Sequence, residues 1–351
     1  MTQLNDLMGL TKNTYATIAN DGIDWSDVSG WVDTGSYMLN ALLSGSIYGG
    51  LADNKRLAIG GSTSTGKTFA ALTMVKLFLE QHKDSYVAYF DSECAITKDM
   101  FIDRGINAKR VAVFDVSTLE ALRFQVNAMV DGYLKLPKSK RKRFMIVVDS
   151  LSQISNEREM QTVEDGKNKA DMGNTQKLIK SMFRTISSKM GRAHIPMIIT
   201  AHTYKEMGAM YAREILAGGT GLAYSGDMIV FLSKSKVKDG TDVVGNNIRC
   251  TLAKGRFTKE NKQVRIGLRY DTGLQRYDGL LDLAEKYGIV TKLSNKFKFK
   301  GEPEDSKGAF EKHIYKKPEK YFTKEILDEI DKAAAQEFLY GSALEEETID
   351  E

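Results

Sequence analysis

The segment Gly61-Ser62-Thr63-Ser64-Thr65-Gly66-Lys67-Thr68 has the spacing G-x-x-x-x-G-K-[ST], which suits the holding of a nucleoside triphosphate. Its glycines let the backbone curl so that amide groups and a helix N-terminus face a phosphate. Lys67 then offers a compact charge to the β- and γ-phosphates, and Thr68 offers a hydroxyl to Mg2+. Further candidates stand at the ends of apolar runs. Asp149 closes the run FMIVVD, where a carboxylate holds the water shell of the same Mg2+, with Ser150 as a neighbouring donor. Glu93 lies just past YVAYFD, placed to orient and polarise an attacking water. Asp91 qualifies by position too, but strand alternation keeps it closer to the sheet, so Glu93 is the expected catalytic group. His202 is the one histidine of four that ends an apolar run (PMIITAH), where it can bond a γ-phosphate and report it to the segment that follows.

These residues need a scaffold that delivers them to one edge. Short β-branched and aromatic runs at 56–60, 86–91, 110–116, 144–150, 196–202, 228–234, 248–254 and 264–270 alternate with helical spacing at Thr68–Gln81, Leu119–Leu134 and Asn174–Met190. Such continuous runs are expected to be strands buried on both faces, and the alternation predicts an α/β fold with a mostly parallel, twisted sheet flanked by helices. Short polar links between the last three runs predict an antiparallel extension. Two stretches, 155–172 and 203–226, carry no clear helix or strand signal; both follow strand C-termini, where α/β sheets place ligands. Past Tyr277, helices at Leu280–Tyr287 and Thr323–Tyr340 bracket a Lys-rich segment, 292–322, and 280–340 reads as a small C-terminal α/β appendage.

Composition bounds the function. The 351 residues are 42% hydrophobic and 27% charged with 4 prolines, which excludes collagen-like, low-complexity and disordered chains. Cys94 and Cys250 lack any paired spacing, so neither a zinc ribbon nor a disulfide framework is expected, and the chain reads as cytoplasmic. No apolar run approaches the ~20 residues a membrane helix needs. Residues 325–351 carry ten acidic side chains and one basic, a local −9 that leaves +13 on residues 1–324. A basic body with an acidic tail (341–351, read as disordered) points to a polyanionic partner. Two basic stretches remain. KSKRKRF (138–144) lies at the N-terminal end of its strand, away from the nucleotide, and reads as a solvated loop. KFKFK (296–300) either stacks bases and contacts phosphates or forms an edge strand.

Taken with DTGSYMLNALLSGSIYGGL (33–51), GGTGLAYSGD (218–227) and LAKGRFTKE (252–260), these motifs resemble the RecA-family recombinases, most of all the UvsX-type recombinases of tailed phages. The likeness runs from about residue 33 to about residue 290. It implies a RecA-like P-loop ATPase core over 33–279 that uses ATP and Mg2+, self-associates into a helical filament on single-stranded DNA, and exchanges strands with homologous duplex. It also implies that 155–172 and 203–226 are the DNA-binding loops. There Gly218 and Gly219 offer backbone amides to phosphates, Arg213 adds a cation, and Met207, Met210 and Ile215 are candidate wedges. Lys254 and Arg256 match paired cations that reach a neighbouring subunit's ATP, with Arg in the second place where the family more often has Lys. The acidic ending is similar to tails that compete with DNA for basic surface. A single-strand-binding protein and a loader are further candidate partners, and a phage origin would place the protein in host cytoplasm.

Residues 1–32 depart from the bacterial pattern and read as an arm that docks on a neighbour. Two other functions share the motor motif. A hexameric helicase would be expected to carry a separate leading domain, and a small-molecule kinase an Arg-rich lid, where the loop after His202 holds only Arg213.

Overall fold

The structure, a computed structural model, describes residues 2–166, 173–205, 214–217 and 219–341. The central sheet contains β1 (Arg56–Gly61), β2 (Tyr86–Asp91), β3 (Val111–Asp115), β4 (Phe144–Asp149), β5 (Met197–Ala201), β6 (Met228–Asp239), β7 (Asp242–Lys254), β8 (Gln263–Arg269) and β9 (Gly273–Gln275). Their order is β9-β8-β7-β6-β1-β5-β4-β2-β3. From β6 to β3 every pairing is parallel, whereas β7, β8 and β9 join antiparallel. The expected sheet and its extension are therefore present.

Period-2 alternation with both faces covered explains why the inner parallel runs are apolar throughout; Val111–Asp115, at the sheet edge and expected to be buried on both faces, is mostly exposed. Tyr89, Val147 and Ile198 enter one core layer beside α1 (Lys67–Gln81), while Phe90, Val148 and Ile199 enter the other beside α2 (Leu119–Lys135) and α3 (Asn174–Ala193). Helix α1 buries Ala71, Leu72, Val75, Phe78 and Leu79, a single stripe. Helix α2 begins where the Thr118 side chain accepts from the Ala121 amide.

The two stretches expected to lack regular structure hold some. Glu157–Glu164 is a helix whose N-cap, Asn156, accepts from the Glu159 amide; Glu157 and Glu159 complement its N-terminal partial charge. It buries no side chain, and its two apolar residues, Met160 and Val163, share one face and are exposed. In the second stretch, Thr203–Lys205 pairs antiparallel with Glu214–Leu216, and Gly219–Ser225 is helical.

Beyond β9, a three-stranded antiparallel sheet (Val290–Leu293, Lys296–Phe299, Ala309–Phe310) packs with helices including Leu280–Lys286 and Lys324–Phe338. Leu281, Phe297, Phe299, Phe322 and Ile330 join the same apolar layer as α1. Phe297 and Phe299 are only 6% and 4% exposed, which rules out the base-stacking reading of KFKFK, and Lys296–Phe299 is paired on both sides as the middle strand of the three, so it is not an edge strand either; its phenylalanines are core. Glu337 ties this region to the sheet extension by accepting from Lys262, Lys286 and the Tyr287 hydroxyl. Burial would raise its pKa, but those donors outweigh it and hold the carboxyl down at about 2. No helix among the described residues is long and apolar enough to cross a membrane.

The leading segment is fastened under the N-terminal ends of the strands. His194 Nδ1 lies 3.3 Å from Asp53 Oδ1, and Arg143 and Ser29 also donate to Asp53. The other ring nitrogen, Nε2, is 2.7 Å from the Asp24 carbonyl. Lys138 pairs with Asp24 and Lys142 lies over Tyr86, and Lys138, Lys140 and Lys142 are exposed, so the basic loop is the solvated one expected. The hydrogen bond with Asp53 is the main cause raising the His194 pKa, against the opposing pull of burial. Burial alone would raise Asp53, yet the bonds from His194, Ser29 and Arg143 hold it low. A raised folded pKa stabilises fully below the ordinary histidine value of about 6.5, and that contribution disappears as pH climbs through the raised value. His194→Gln should therefore cost about 2 kcal/mol at pH 6 and clearly less at pH 8.5. Urea unfolding at both pH values checks this, and an equal loss at both would contradict it.

Candidate active site

The phosphate-type loop joins β1 to α1. Gly61 cannot be replaced without collision, since a Cβ there would sit 2.6 Å from Thr65 Oγ1 and 2.9 Å from the Leu232 carbonyl. Gly66, at φ +99°, occupies the left-handed region where glycine is favoured and turns the chain into α1. Inside this curl, Lys67 Nζ donates to the carbonyls of Gly61 (2.9 Å) and Ser62 (3.0 Å). Thr65 donates to the Ser62 carbonyl, and Lys234 reaches across from β6 to donate to the Ser64 carbonyl at 2.6 Å. Lys67 is buried, and that burial pulls its pKa below the ordinary value while the carboxylates of Glu93 and Asp149 oppose the shift. Both expected carboxylates thus lie within the field of the loop lysine.

Asp149, at the end of β4, is 5% exposed. Tyr89 donates to its Oδ2 at 2.6 Å, and Thr200 donates to its Oδ1. Neither partner was evident from local sequence. Asp91 is occupied by backbone amides: its two oxygens accept from Glu93 at 3.1 Å and Ile96 at 3.0 Å. That leaves Glu93 as the available carboxylate past β2.

Glu93 and His202, from separate strand ends, are brought together. His202 Nε2 lies 3.3 Å from Glu93 Oε1, and Ser150 donates to the same oxygen at 2.8 Å. Ser150 Oγ lies 3.0 Å from Ser152 Oγ, which in turn accepts from the His202 amide at 3.0 Å. Both side chains of the pair are partly exposed, as groups that meet a substrate must be.

Lys254 and Arg256 lie elsewhere. The register places Gly61 opposite Leu232, but Lys254, the last residue of the antiparallel β7, opposite Ile229, roughly 10 Å back toward the N-terminal ends of β1 and β6. There Lys254 donates to the Ala223 and Tyr224 carbonyls, and Arg256 pairs with Asp227 at 3.1 Å. Asp227 is shared with the buried Arg56, at 2.8 Å. Burial would raise the Asp227 pKa, but Arg56 first, and then Arg256, bring it below the ordinary range.

Of the residues expected to meet a polyanion, Ile215 is half-buried in a strand opposite Tyr204, and Gly219 starts a helix. Met207, Met210, Arg213 and Gly218 lie outside the described residues, as do 167–172 and 342–351. Tyr204 and Tyr224, exposed by 50% and 71%, are aromatic surfaces in this region that motif spacing did not single out. For Mg2+, Thr68 and Asp149 offer hard oxygen donors, and Asp149 keeps lone pairs beyond those bonded to Tyr89 and Thr200. Among the described residues no group of three or more His, Cys, Asp or Glu forms a metal cage. This donor set suits an ion that keeps most of its water and leans on phosphate oxygens.

A model of the RecA N-terminal domain matches residues 20–275. The chain is 32% identical over 258 residues to the recombination and repair protein of Enterobacteria phage T4, covering 74% of this chain and 64% of that protein. It is 25% identical over 269 residues to protein RecA of Paracoccus denitrificans, covering 76% and 71% of the two chains. Against protein RecA of Malacoplasma penetrans it is 24% identical over 308 residues, 87% of each. The matched stretch is thus just under two thirds of the phage protein's length.

Proposed function

We propose, for a chain that belongs to the RecA N-terminal domain family, the activity of an ATP-dependent DNA recombinase that forms filaments on single-stranded DNA and pairs it with homologous duplex. The observation that carries this reading is the meeting of Glu93 and His202 at 3.3 Å beside the buried loop lysine, on a segment that runs on into the second long loop. A hydrolytic site so built is joined physically to a surface beyond it.

In this reading Lys67 meets the β- and γ-phosphates, and Thr68 with Asp149 holds Mg2+, which neutralises charge on the phosphate oxygens. Glu93 orients a water in line with the γ-phosphorus and takes its proton as the new P–O bond forms. The bond to the bridging oxygen breaks, leaving ADP and inorganic phosphate. His202 donates to the γ-phosphate, and its contact with Glu93 makes the direction of both groups depend on that phosphate. Lys254 and Arg256 face away from their own loop and serve a neighbour's phosphates. The helix Thr2–Leu10, with Leu4, Leu7 and Leu10 exposed, is the segment offered to a neighbouring subunit. DNA is held by 155–172 and 203–226 through backbone amides, scattered cations and aromatic surface such as Tyr204, with duplex as the second substrate.

The test is ATP turnover with and without single-stranded DNA, together with fluorescence anisotropy of a labelled oligonucleotide. Turnover should rise when DNA is added, and a non-hydrolysable ATP analogue should tighten binding. The log–log salt slope should steepen by about 0.7 for each phosphate neutralised. DNA-independent turnover with nucleotide-independent binding would overturn the reading.

A further inference from the structure

Asp149 is held from both sides by hydroxyl groups that no metal or phosphate chemistry requires. The register sets Tyr89 beside Val147 and Ile198 beside Val147, so Tyr89 on β2 and Thr200 on β5 share a sheet face with Asp149 on β4. That face is the one covered by α1, the helix that starts at the phosphate loop. Tyr89 and Thr200 are both fully buried, and each gives its hydroxyl to a different oxygen of the same carboxylate. The ring of Tyr89 is further fixed edge-on against Phe101.

We propose that Tyr89 and Thr200 are positioning residues for divalent-cation binding. They clamp the plane of the Asp149 carboxylate so that its remaining lone pairs meet the cation's water shell. The physical reason is geometric. A carboxylate at a strand end turns freely about its last bond, and two donors on opposite flanking strands, one per oxygen, remove that freedom. Each donor also draws charge from the oxygen it bonds, which favours water-mediated contact over direct ligation. The inference rests on the nucleotide-binding reading, and it assigns roles to two residues that a motif scan would pass over as ordinary strand apolar and β-branched positions.

The experiment uses the full chain with Tyr89→Phe, Thr200→Val and Thr200→Ser, titrating Mg2+ against the anisotropy of a fluorescent ATP analogue, with parallel measurements in EDTA and melting curves. The Mg2+ concentration at half-maximal binding should rise about tenfold in Tyr89→Phe and in Thr200→Val, as loss of an outer partner typically does. Thr200→Ser, which keeps the hydroxyl, should return to the parent value, and binding in EDTA should not change. Parent-like Mg2+ midpoints in both hydroxyl-deleted variants would overturn the proposal. So would weakening of equal size with and without Mg2+ alongside a lowered melting temperature, since that marks a structural role only. If the parent itself bound no nucleotide, the underlying reading would fail instead, which keeps the two failures distinct.

Discussion

Glu93→Gln is expected to bind ATP at close to parental affinity and to turn it over about 10²- to 10⁴-fold more slowly, the usual contribution of a positioned general base. The amide keeps the size of the side chain and can still accept from Ser150, whose hydroxyl lies 2.8 Å from the carboxylate now. What it loses is the capacity to take a proton from water. Lys67→Ala should behave differently. Lys67 is buried among the loop carbonyls of Gly61 and Ser62, and its removal takes away charge that the triphosphate needs in the ground state as well as in the transition state. Binding and turnover must therefore be measured separately: equilibrium anisotropy of a labelled nucleotide for the first, phosphate release for the second. A Glu93→Gln protein that hydrolyses at the parental rate would remove Glu93 from the chemistry, and the partner contact with His202 would then need another explanation.

How far the site can be read from sequence depends on whether its parts are local. The phosphate loop, Asp149, Glu93 and His202 each follow a run of residues buried on both sheet faces, and such runs are visible because alternation has no polar side to interrupt them. Tyr89 belongs to one of those runs and looks like filler. Only the pairing of β2 with β4 sets its hydroxyl under Asp149, a partner 60 positions away in the chain. Arg56 and Asp227 meet across 171 positions, and His194 reaches Asp53 across 141. No periodicity within a segment encodes such meetings. The helix Glu157–Glu164 is a different case. It buries nothing, yet Asn156 followed three residues later by Glu159 is a helix-start signature that was present in the sequence. The KFKFK run is another local signal that the sequence leaves undecided: its alternation fits a strand with one buried face, and the phenylalanines occupy that face.

Lys254 and Arg256 yield the other large effect. Because both lie at the N-terminal edge of the parallel strands β1 and β6, away from their own loop, replacing them with alanine should leave ATP binding in the same subunit largely intact. DNA-stimulated hydrolysis should fall by about 10³-fold or more if they act on a neighbour's phosphates as trans cations do. The double variant should fold. Arg256 is half exposed, and an exposed ion pair contributes about 0–1 kcal/mol, while Asp227 keeps its bond to the buried Arg56. Mixing makes the assignment decisive. In a head-to-tail filament each site takes its loop from one subunit and its cations from the next. A Lys67→Ala subunit has no working loop but intact cations; the double variant has the reverse. Each alone should be inactive. An equimolar mixture places the intact loop against intact cations at roughly one contact in four, so turnover should return to about a quarter of the parental rate. Turnover in the mixture no greater than the sum of the two proteins alone would confine Lys254 and Arg256 to the contacts they make within their own chain, with Asp227 and the carbonyls of Ala223 and Tyr224.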